Sequence, residues 1–347
     1  QVWIRMGKIR IAVSLSGMAR HFSECINNTL EFFDAHGCEV DFFIHSWSSS
    51  WYPARAKSQY RSHNNAITVP IDELTDSLEY HYKPKKILVE DQLSNINITK
   101  AIKSIKDTFS RKTSRKSAPD WLKRIVQSSN VDPFLSYPFH LAQTYSISKS
   151  ASLVSEYSKE NNFKYDLVFR FRFDNFMELK TKEYRSQVFK DMDTLIRRDY
   201  ARSQKNGRFK REPLFTAWTT VFGDCGYSYK STWIGDKIFA CSGRVFGKFE
   251  NYFRSQLLKI LSYNTSMKNV SPEKPYFMPE HLLAHFCREN GFYACSQGQL
   301  NTFSLASYRP YHQELQDQSF DSIRLEYNRQ EKGNHDGTEG IFIEHDN

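Results

Sequence analysis

Two apolar strands with a helix between them constrain the fold of this chain more than any other feature. The segment KIRIAVSLSG, 8–17, is a continuous run of β-branched and apolar residues that stops at Ser-Gly, which is typical of a buried parallel strand. The segment EVDFFIHSW, 39–47, is a second run of this kind. Between them, apolar residues recur at helical spacing at Phe22, Ile26, Leu30 and Phe33. A strand-helix-strand unit favours a parallel sheet with a right-handed crossover.

Later segments repeat this alternation of strands and helices. Further strands are predicted at 85–90, 165–174 and 235–243, and further helices at 140–162, 244–261 and 278–291. Residues 48–84 are polar and aromatic with weak periodicity. We expect an irregular or loosely helical polar insertion over 100–137, and strands and loops around a pocket over 180–232. The pattern predicts an α/β fold with a mainly parallel sheet flanked by helices and interrupted by polar insertions.

Length and composition place the chain among folded proteins. It has 347 residues, of which 39% are hydrophobic and 15% aromatic, which excludes a disordered chain. We expect a single domain over 6–310, followed by a C-terminal tail over 311–347. No apolar run approaches the roughly 20 residues that span a bilayer, and the six cysteines form no Cys-x-x-Cys pair. Both features favour a soluble, cytoplasmic protein with reduced cysteines.

The formal net charge of +9 is concentrated in two basic clusters, 111–124 and 197–211. Such clusters can hold nucleic acid, an anionic membrane or phosphorylated substrates, and are equally typical of solvated, mobile loops. No zinc-finger spacing or ribonucleoprotein-type aromatic motif accompanies them, so nucleic acid is not an expected partner.

The segment YDLVFRFRFD offers the strongest candidate site. Strand alternation predicts Arg170, Arg172 and Asp174 on one face, with phenylalanines on the other. In an interior strand, two guanidinium groups beside a carboxylate are costly unless they meet an anion or a metal ion. Two arginines that bind a diphosphate, with a carboxylate for a sugar hydroxyl or a metal, would satisfy all three. The alternative is a half-buried strand with its polar face in water.

The ends of the first two predicted strands supply further candidates. In SLSGMAR, the backbone around Ser16 and Gly17 can open toward a helix N-terminus, with Arg20 within reach of a phosphate. At the end of FIHSW, His45 can donate a hydrogen bond to a ligand and Trp47 can stack on a nucleobase or sugar. The alternatives are a plain strand-to-helix turn and a packed tryptophan beside a structural histidine.

Two acidic residues are candidate catalytic groups. Asp236 follows Gly235 at the start of a predicted strand, and Glu280 follows Pro279 at the start of a predicted helix. Each can be a catalytic carboxylate that faces a substrate. Each can equally be a structural residue, since aspartate favours turns and glutamate complements the positive end of a helix.

The ordered series of these segments resembles a group of glycosyltransferases. Its members occur in bacterial lipopolysaccharide and capsule loci and in phage and large DNA virus genomes. The resemblance spans about 8–295 and is carried by six short segments: RIAVSLSGMAR, VDFFIHSW, KILVE, the stretch that ends in RFRFD, GDKIFACSG and PEHLLAHFCRENGF.

The resemblance implies a GT-A-like, Rossmann-like domain that takes a nucleotide-sugar donor. The RFRFD segment stands where such enzymes usually carry Asp-x-Asp, but Arg172 occupies the first acidic position. Asp174 alone is then left to hold Mn²⁺ or Mg²⁺, and the arginines are candidates to neutralise the diphosphate in place of a metal. Asp236 or Glu280 would act as the base in an inverting reaction.

The implied acceptor is a hydroxyl of a surface glycan or of a lipid-linked glycan, with peripheral contact to an anionic membrane. Two other interpretations of the residues remain open. A sulfotransferase-like enzyme with a phosphorylated donor would also use the arginines, and a non-catalytic module would bind glycan or nucleic acid through the basic clusters.

Overall fold

The computed structural model describes most of the first half of the chain and shorter stretches of the second half. The described residues are 7–19, 22–49, 69–92, 94–113, 137–206, 212–216, 219–220, 233–234, 237–261, 279–295 and 305–307. Arg20, Asp236 and the C-terminal tail lie outside these segments.

The described residues form eleven strands and eight α-helices. The strands are β1 (Ile9–Met18), β2 (Cys38–Ser49), β3 (Lys86–Asp91), β4 (Leu167–Phe171), β5 (Asn175–Met177), β6 (Glu212–Thr216), β7 (Thr219–Thr220), β8 (Trp233–Ile234), β9 (Ile238–Cys241), β10 (Phe292–Cys295) and β11 (Leu305–Ser307). The helices are α1 (Phe22–Phe33), α2 (Ile71–Tyr82), α3 (Ile96–Thr113), α4 (Tyr137–Glu160), α5 (Lys182–Asn206), α6 (Gly243–Phe246), α7 (Tyr252–Leu261) and α8 (Pro279–Glu289). A 3-10 helix, Gly247–Asn251, joins α6 to α7.

A seven-stranded sheet organises the fold, in the order β10-β6-β9-β4-β1-β2-β3. Strands β1 to β4 run parallel to one another, β10 runs parallel to β6, and β9 is antiparallel to both of its neighbours. Two short antiparallel pairs, β5 with β11 and β7 with β8, lie outside this sheet. The predicted α/β architecture with a mainly parallel, helix-flanked sheet is confirmed.

Two apolar clusters cover the two faces of the sheet. Odd-numbered residues of β1 and β4, such as Val13 and Phe169, join residues of α1, α2 and α5 on one face. Even-numbered residues, such as Ala12 and Val168, join residues of α4, α7 and α8 on the other face. Because both faces are covered, β1 and β4 carry continuous apolar runs.

The sequence analysis did not predict two helices. Residues 71–82, in which only weak periodicity was visible, form α2, which buries Leu74 and Leu78. Residues 182–206, expected as strands and loops, form the 25-residue helix α5, which buries Phe189 and Met192. In both helices the apolar residues follow a helical period, but abundant charged residues between them hide the stripe.

Two predicted boundaries also shift. Strand β1 continues through Gly17 to Met18, one residue beyond the expected turn at Ser-Gly, because it stays paired with β2 up to Met18. Strand β4 ends at Phe171, so Arg172 and Asp174 lie in the turn that follows it. None of the helices in the described segments combines the length and apolar character that a bilayer crossing requires.

Candidate functional site

A row of polar side chains crosses the sheet near the carboxyl ends of its parallel strands. Ser16 of β1 is the register partner of His45 of β2. Glu90 of β3 hydrogen-bonds to His45, and Arg170 of β4 hydrogen-bonds to Ser16. Residues far apart in the chain therefore meet at one edge of the sheet. In open α/β sheets, ligands bind outside this edge.

The first half of this row is a closed network, which we call the histidine cluster: His45, Glu90, Asn95, Tyr145 and Ser146. His45 is fully buried, with Nδ1 2.8 Å from Ser146 Oγ and Nε2 2.9 Å from Glu90 Oε2. The other oxygen of Glu90 accepts hydrogen bonds from Asn95 Nδ2 at 3.2 Å and from Tyr145 OH at 3.4 Å. Asn95 also caps α3, since its Oδ1 accepts from two backbone N–H groups.

Burial fixes the protonation state of this cluster. Desolvation lowers the pKa of His45, although the hydrogen bond to Glu90 acts in the opposite direction. Burial raises the pKa of Glu90, but the hydrogen bond from His45, the charge of Lys149 and the hydrogen bond from Tyr145 outweigh it and hold that pKa below its usual range. We assign a neutral imidazole that donates a hydrogen bond from Nε2–H to the ionised Glu90 and accepts one from the Ser146 hydroxyl at Nδ1.

The order Ser146, His45, Glu90 has the composition of a nucleophilic triad. Ser146 is fully buried beneath the sheet, however, and its hydroxyl also lies 3.3 Å from the carbonyl oxygen of His45. A buried hydroxyl cannot reach a substrate, so the geometry supports a positioning role.

The second half of the row and the turn after β4 form the arginine cluster: Ser16, Arg170, Arg172, Asp174 and Asn175. Arg170 is only 1% exposed. Its Nε donates to Ser16 Oγ at 3.0 Å, Nη2 to the Ser16 carbonyl oxygen at 3.4 Å, and Nη1 to the Lys237 carbonyl oxygen at 3.2 Å. These contacts hold one guanidinium at the carboxyl ends of β1 and β4.

Arg172 and Asp174 form a side-on ion pair within the turn. Arg172 Nε lies 2.8 Å from Asp174 Oδ1, and Nη2 lies 2.6 Å from Oδ2. The Asp174 side chain is 3% exposed, while that of Arg172 is 19% exposed. Both oxygens of the buried carboxylate are therefore bonded to the guanidinium of a partly exposed arginine.

Asn175 connects this turn to Arg170. Its Nδ2 donates to the Lys237 carbonyl oxygen at 2.9 Å, the same oxygen that Arg170 contacts. Asn175 is fully buried, and its Oδ1 has no hydrogen-bond partner among the described residues. Asn175 therefore places an unsatisfied buried acceptor next to the carbonyl oxygen that holds Arg170.

Helix α1 fixes the far side of the turn. The side-chain amide of Asn28 pairs with the backbone of Met177 in both directions, with both distances 2.8 Å. This two-point contact anchors β5 and so limits the movement of the turn before it.

Gly17 provides room beside this cluster. Its φ of +120° lies in a region that L-residues with a side chain avoid. A Cβ built on Gly17 would meet no atom of the described residues within 4 Å, so the space next to its backbone is open there. A glycine in this setting lets a ligand approach the backbone at the end of β1.

The predicted site residues divide into three groups. Ser16, Gly17, Arg170, Arg172 and Asp174 lie together at the carboxyl edge, as predicted. His45 and Trp47 lie at the same edge, but both are buried. Arg20 and Asp236 lie outside the described residues, and Glu280 lies in the first turn of α8 with a side chain that is not described.

The expected roles of two of these residues need correction. Trp47 is 3% exposed and its ring stacks on Tyr145 at 5.5 Å, so it offers no open face to a nucleobase in this structure. His45 is enclosed between Ser146 and Glu90, so it cannot donate directly to a ligand. Arg172 and Asp174 do not extend the face of β4, because the chain turns after Phe171.

The residues at Asp174 do not fit a divalent metal site. Mg²⁺ and Mn²⁺ prefer several oxygen ligands, usually including carboxylates. Both oxygens of Asp174 are instead bonded to Arg172. Within the described segments, no group of three or more His, Cys, Asp or Glu side chains is arranged to hold a metal ion.

Sequence reasoning missed Glu90 and Asn175. Glu90 ends the third predicted strand, and parallel strands bring such a residue to the same edge as His45, so its position was a usable signal. Asn175 directly follows Asp174, but its contact is to a carbonyl oxygen 62 residues later, which no local pattern indicates.

Comparison with protein-family models and with curated proteins finds no match for this chain.

Proposed function

We propose that this protein is a glycosyltransferase that moves a sugar from a nucleotide-sugar donor to a hydroxyl of a surface glycan. The observation that carries the proposal is the arginine cluster at the carboxyl edge of β1 and β4, beside the open backbone of Gly17. The GT-A type of fold is part of this proposal, and a mainly parallel sheet with one antiparallel inner strand is compatible with it.

The chemistry of the donor explains the composition of this cluster. A nucleotide sugar carries a diphosphate, whose oxygens match the planar N–H groups of arginine. In the transfer step, the acceptor oxygen bonds to the anomeric carbon while the bond between that carbon and the diphosphate oxygen breaks. Negative charge then collects on the leaving diphosphate, where Arg170 and Arg172 would stabilise it.

The remaining roles follow from the sequence. Asp236 or Glu280 would take the proton of the acceptor hydroxyl. The basic segments 111–124 and 197–211 would attract an acceptor linked to a lipid phosphate, and would keep the protein near an anionic membrane on the cytoplasmic side.

A thermal-shift panel tests the proposal. The ligands are the diphosphates of uridine, guanosine, thymidine and cytidine and their sugar conjugates, each with and without manganese. A ligand that binds only the native state raises its stability by about 2.7 kcal/mol at a concentration of one hundred times Kd. We expect one nucleotide to raise the melting temperature selectively, and Asp174→Ala to abolish that rise.

Asp193→Ala is the matched control. Asp193 also pairs with an arginine, Arg197, at 2.7 Å, but it lies on α5 at the other end of β4. It should lower stability without changing the nucleotide response. A rise with 3′-phosphoadenosine nucleotides instead would favour the sulfotransferase-like alternative. No rise with any nucleotide would favour a non-catalytic binding module.

A further inference from the structure

The Arg172–Asp174 pair occupies the position where a metal ion would have to bind. Metal–oxygen bonds to small divalent cations are about 2.1 Å long. The Arg172 Nη2–Asp174 Oδ2 distance is 2.6 Å. A metal on that oxygen would therefore come within about 5 Å of the guanidinium, and two positive centres at this distance repel each other.

Displacing Arg172 to make room is also unfavourable. Asp174 is 3% exposed, so its charge depends on partners inside the protein. The side-on contact satisfies both of its oxygens with one rigid group. The turn itself is held in place, because Asn175 bonds to the Lys237 carbonyl oxygen and Met177 pairs with Asn28.

Partial exposure gives the same guanidinium access to a ligand. The Arg172 side chain is 19% exposed, compared with 3% for Asp174, so the arginine is the more accessible member of the pair. The Asp174 contact uses the edge formed by Nε and Nη2, and it fixes the orientation of the guanidinium plane. A positively charged group pre-oriented by a buried carboxylate can neutralise a phosphate without reorganisation.

We propose that the donor diphosphate binds here without a divalent metal, with Arg172 as the partly exposed cation and Asp174 as the residue that positions it. The inference rests on the proposed function, since it specifies how the nucleotide sugar is held. Asp174 is then a positioning residue and not a metal ligand. Arg170, held on Ser16 and the Lys237 carbonyl oxygen, is the fixed second cation of the site.

Isothermal titration calorimetry with the wild-type chain tests this directly. The probes are uridine, guanosine, thymidine, cytidine and adenosine diphosphates, each titrated in excess EDTA and again in excess manganese chloride. We expect at least one nucleotide to bind in EDTA, with a Kd that manganese changes little.

Two variants locate the effect. Arg172→Lys keeps the positive charge but removes the side-on geometry. The double variant Arg172→Gln with Asp174→Asn replaces the pair by neutral polar groups, which avoids leaving one charge buried alone. Each should weaken binding in EDTA by about 10- to 100-fold, the loss expected for charge-assisted hydrogen bonds. Arg10→Ala, which breaks a pair with Glu39 at the amino end of β1, should bind as wild type.

The outcomes separate this inference from the proposed function. Binding that requires manganese would overturn the inference and leave the proposed function standing. Wild-type affinity in the double variant would also overturn the inference, because it would show that Arg172 does not bind the diphosphate. No binding in either buffer would contradict the proposed function, and the inference would fall with it.

Discussion

The histidine cluster and the arginine cluster lie side by side at one edge of the sheet, yet they are built in opposite ways. In the histidine cluster, one ionised carboxylate accepts hydrogen bonds from three neutral donors, and its imidazole is fully buried. In the arginine cluster, two arginines lie at the short turn that follows β4, and the side chain of one of them, Arg172, is partly exposed. Ser16 and His45, which are register partners, join the two.

The difference teaches which polar residues at this edge support the fold and which are available to a ligand. The histidine cluster ties β2, β3, α3 and α4 together through mutually satisfied groups. The arginine cluster places charge, open space at Gly17 and the Asn175 acceptor, unpartnered among the described residues, in one region. Changes in the first should alter stability, and changes in the second should alter binding.

Glu90→Ala should have the largest effect on stability. It removes the acceptor shared by His45, Asn95 and Tyr145, and leaves buried donors unpaired. We expect the free energy of unfolding to fall by about 3 kcal/mol, with nucleotide affinity unchanged in the folded protein. Urea unfolding measures the first quantity and calorimetry the second.

Glu156→Ala is the control for this variant. Glu156 pairs with Lys86 at 3.4 Å, and its side chain is 55% exposed. Exposed ion pairs contribute little to stability, so this loss should be far smaller than that of Glu90→Ala. Equal losses for the two glutamates would show that the histidine cluster does not support the fold.

Acidification should weaken the histidine cluster through His45. The folded state lowers the pKa of His45, so the unfolded chain takes up a proton near its ordinary pKa while the folded chain does not. The stabilisation is therefore complete above that pH and is lost as the pH falls. For one proton the slope is at most about 1.4 kcal/mol per pH unit.

The pH effect is measured by urea unfolding at neutral and mildly acidic pH. Wild type should lose stability on acidification, and His45→Gln should show a smaller slope although it is less stable. Burial also lowers the pKa of His285, which acts in the same direction, so His285→Gln is measured in parallel. Identical slopes in wild type and His45→Gln would rule out His45 as the titrating group.

Gly17→Ala probes the open side of the arginine cluster. The backbone at Gly17 has φ of +120°, so alanine is strained there although its Cβ meets no described neighbour. We expect a loss of about 1–2 kcal/mol in stability and weaker nucleotide binding. Gly247→Ala is the control, because φ is −57° and the new Cβ would lie 3.6 Å from Ser155 Oγ, an ordinary contact. The same loss at both glycines would contradict this account.

Ser14→Ala should have the smallest effect. Ser14 Oγ donates to Ser150 Oγ at 2.7 Å, which links β1 to α4 below the polar row. Removing it should cost about 1 kcal/mol. A double-mutant cycle with Ser150→Ala measures the coupling between the two hydroxyls, and a coupling near zero would mean that they contribute independently.

The parts of the fold that follow from local patterns could be predicted from the sequence. Strands β1, β2 and β4 are largely buried and so appear as apolar runs, and α1, α4 and α8 have clear helical spacing. Helices α2 and α5 were missed because their apolar residues are separated by many charges. Extension of β1 to Met18 depends on its pairing with β2, which is a tertiary feature.

The candidate site was predictable only in outline. The presence of Arg170, Arg172 and Asp174 at a strand end directed attention to the correct edge. Strand alternation predicted all three side chains on one face. The chain turns after Phe171, however, and Arg172 forms an ion pair with Asp174 within that turn. The contact between Arg170 and Ser16 depends on the sheet order, which no local pattern contains.

Hydrogen–deuterium exchange with a bound nucleoside diphosphate tests the central claim most directly. The claim is that the donor binds at the arginine cluster, beside the ends of β1 and β4. We predict slower exchange over 14–19 and 170–177 on nucleotide binding, with no change at 8–11 and 164–167, at the opposite ends of these strands. Protection confined to any other part of the chain, with none at the arginine cluster, would contradict the account.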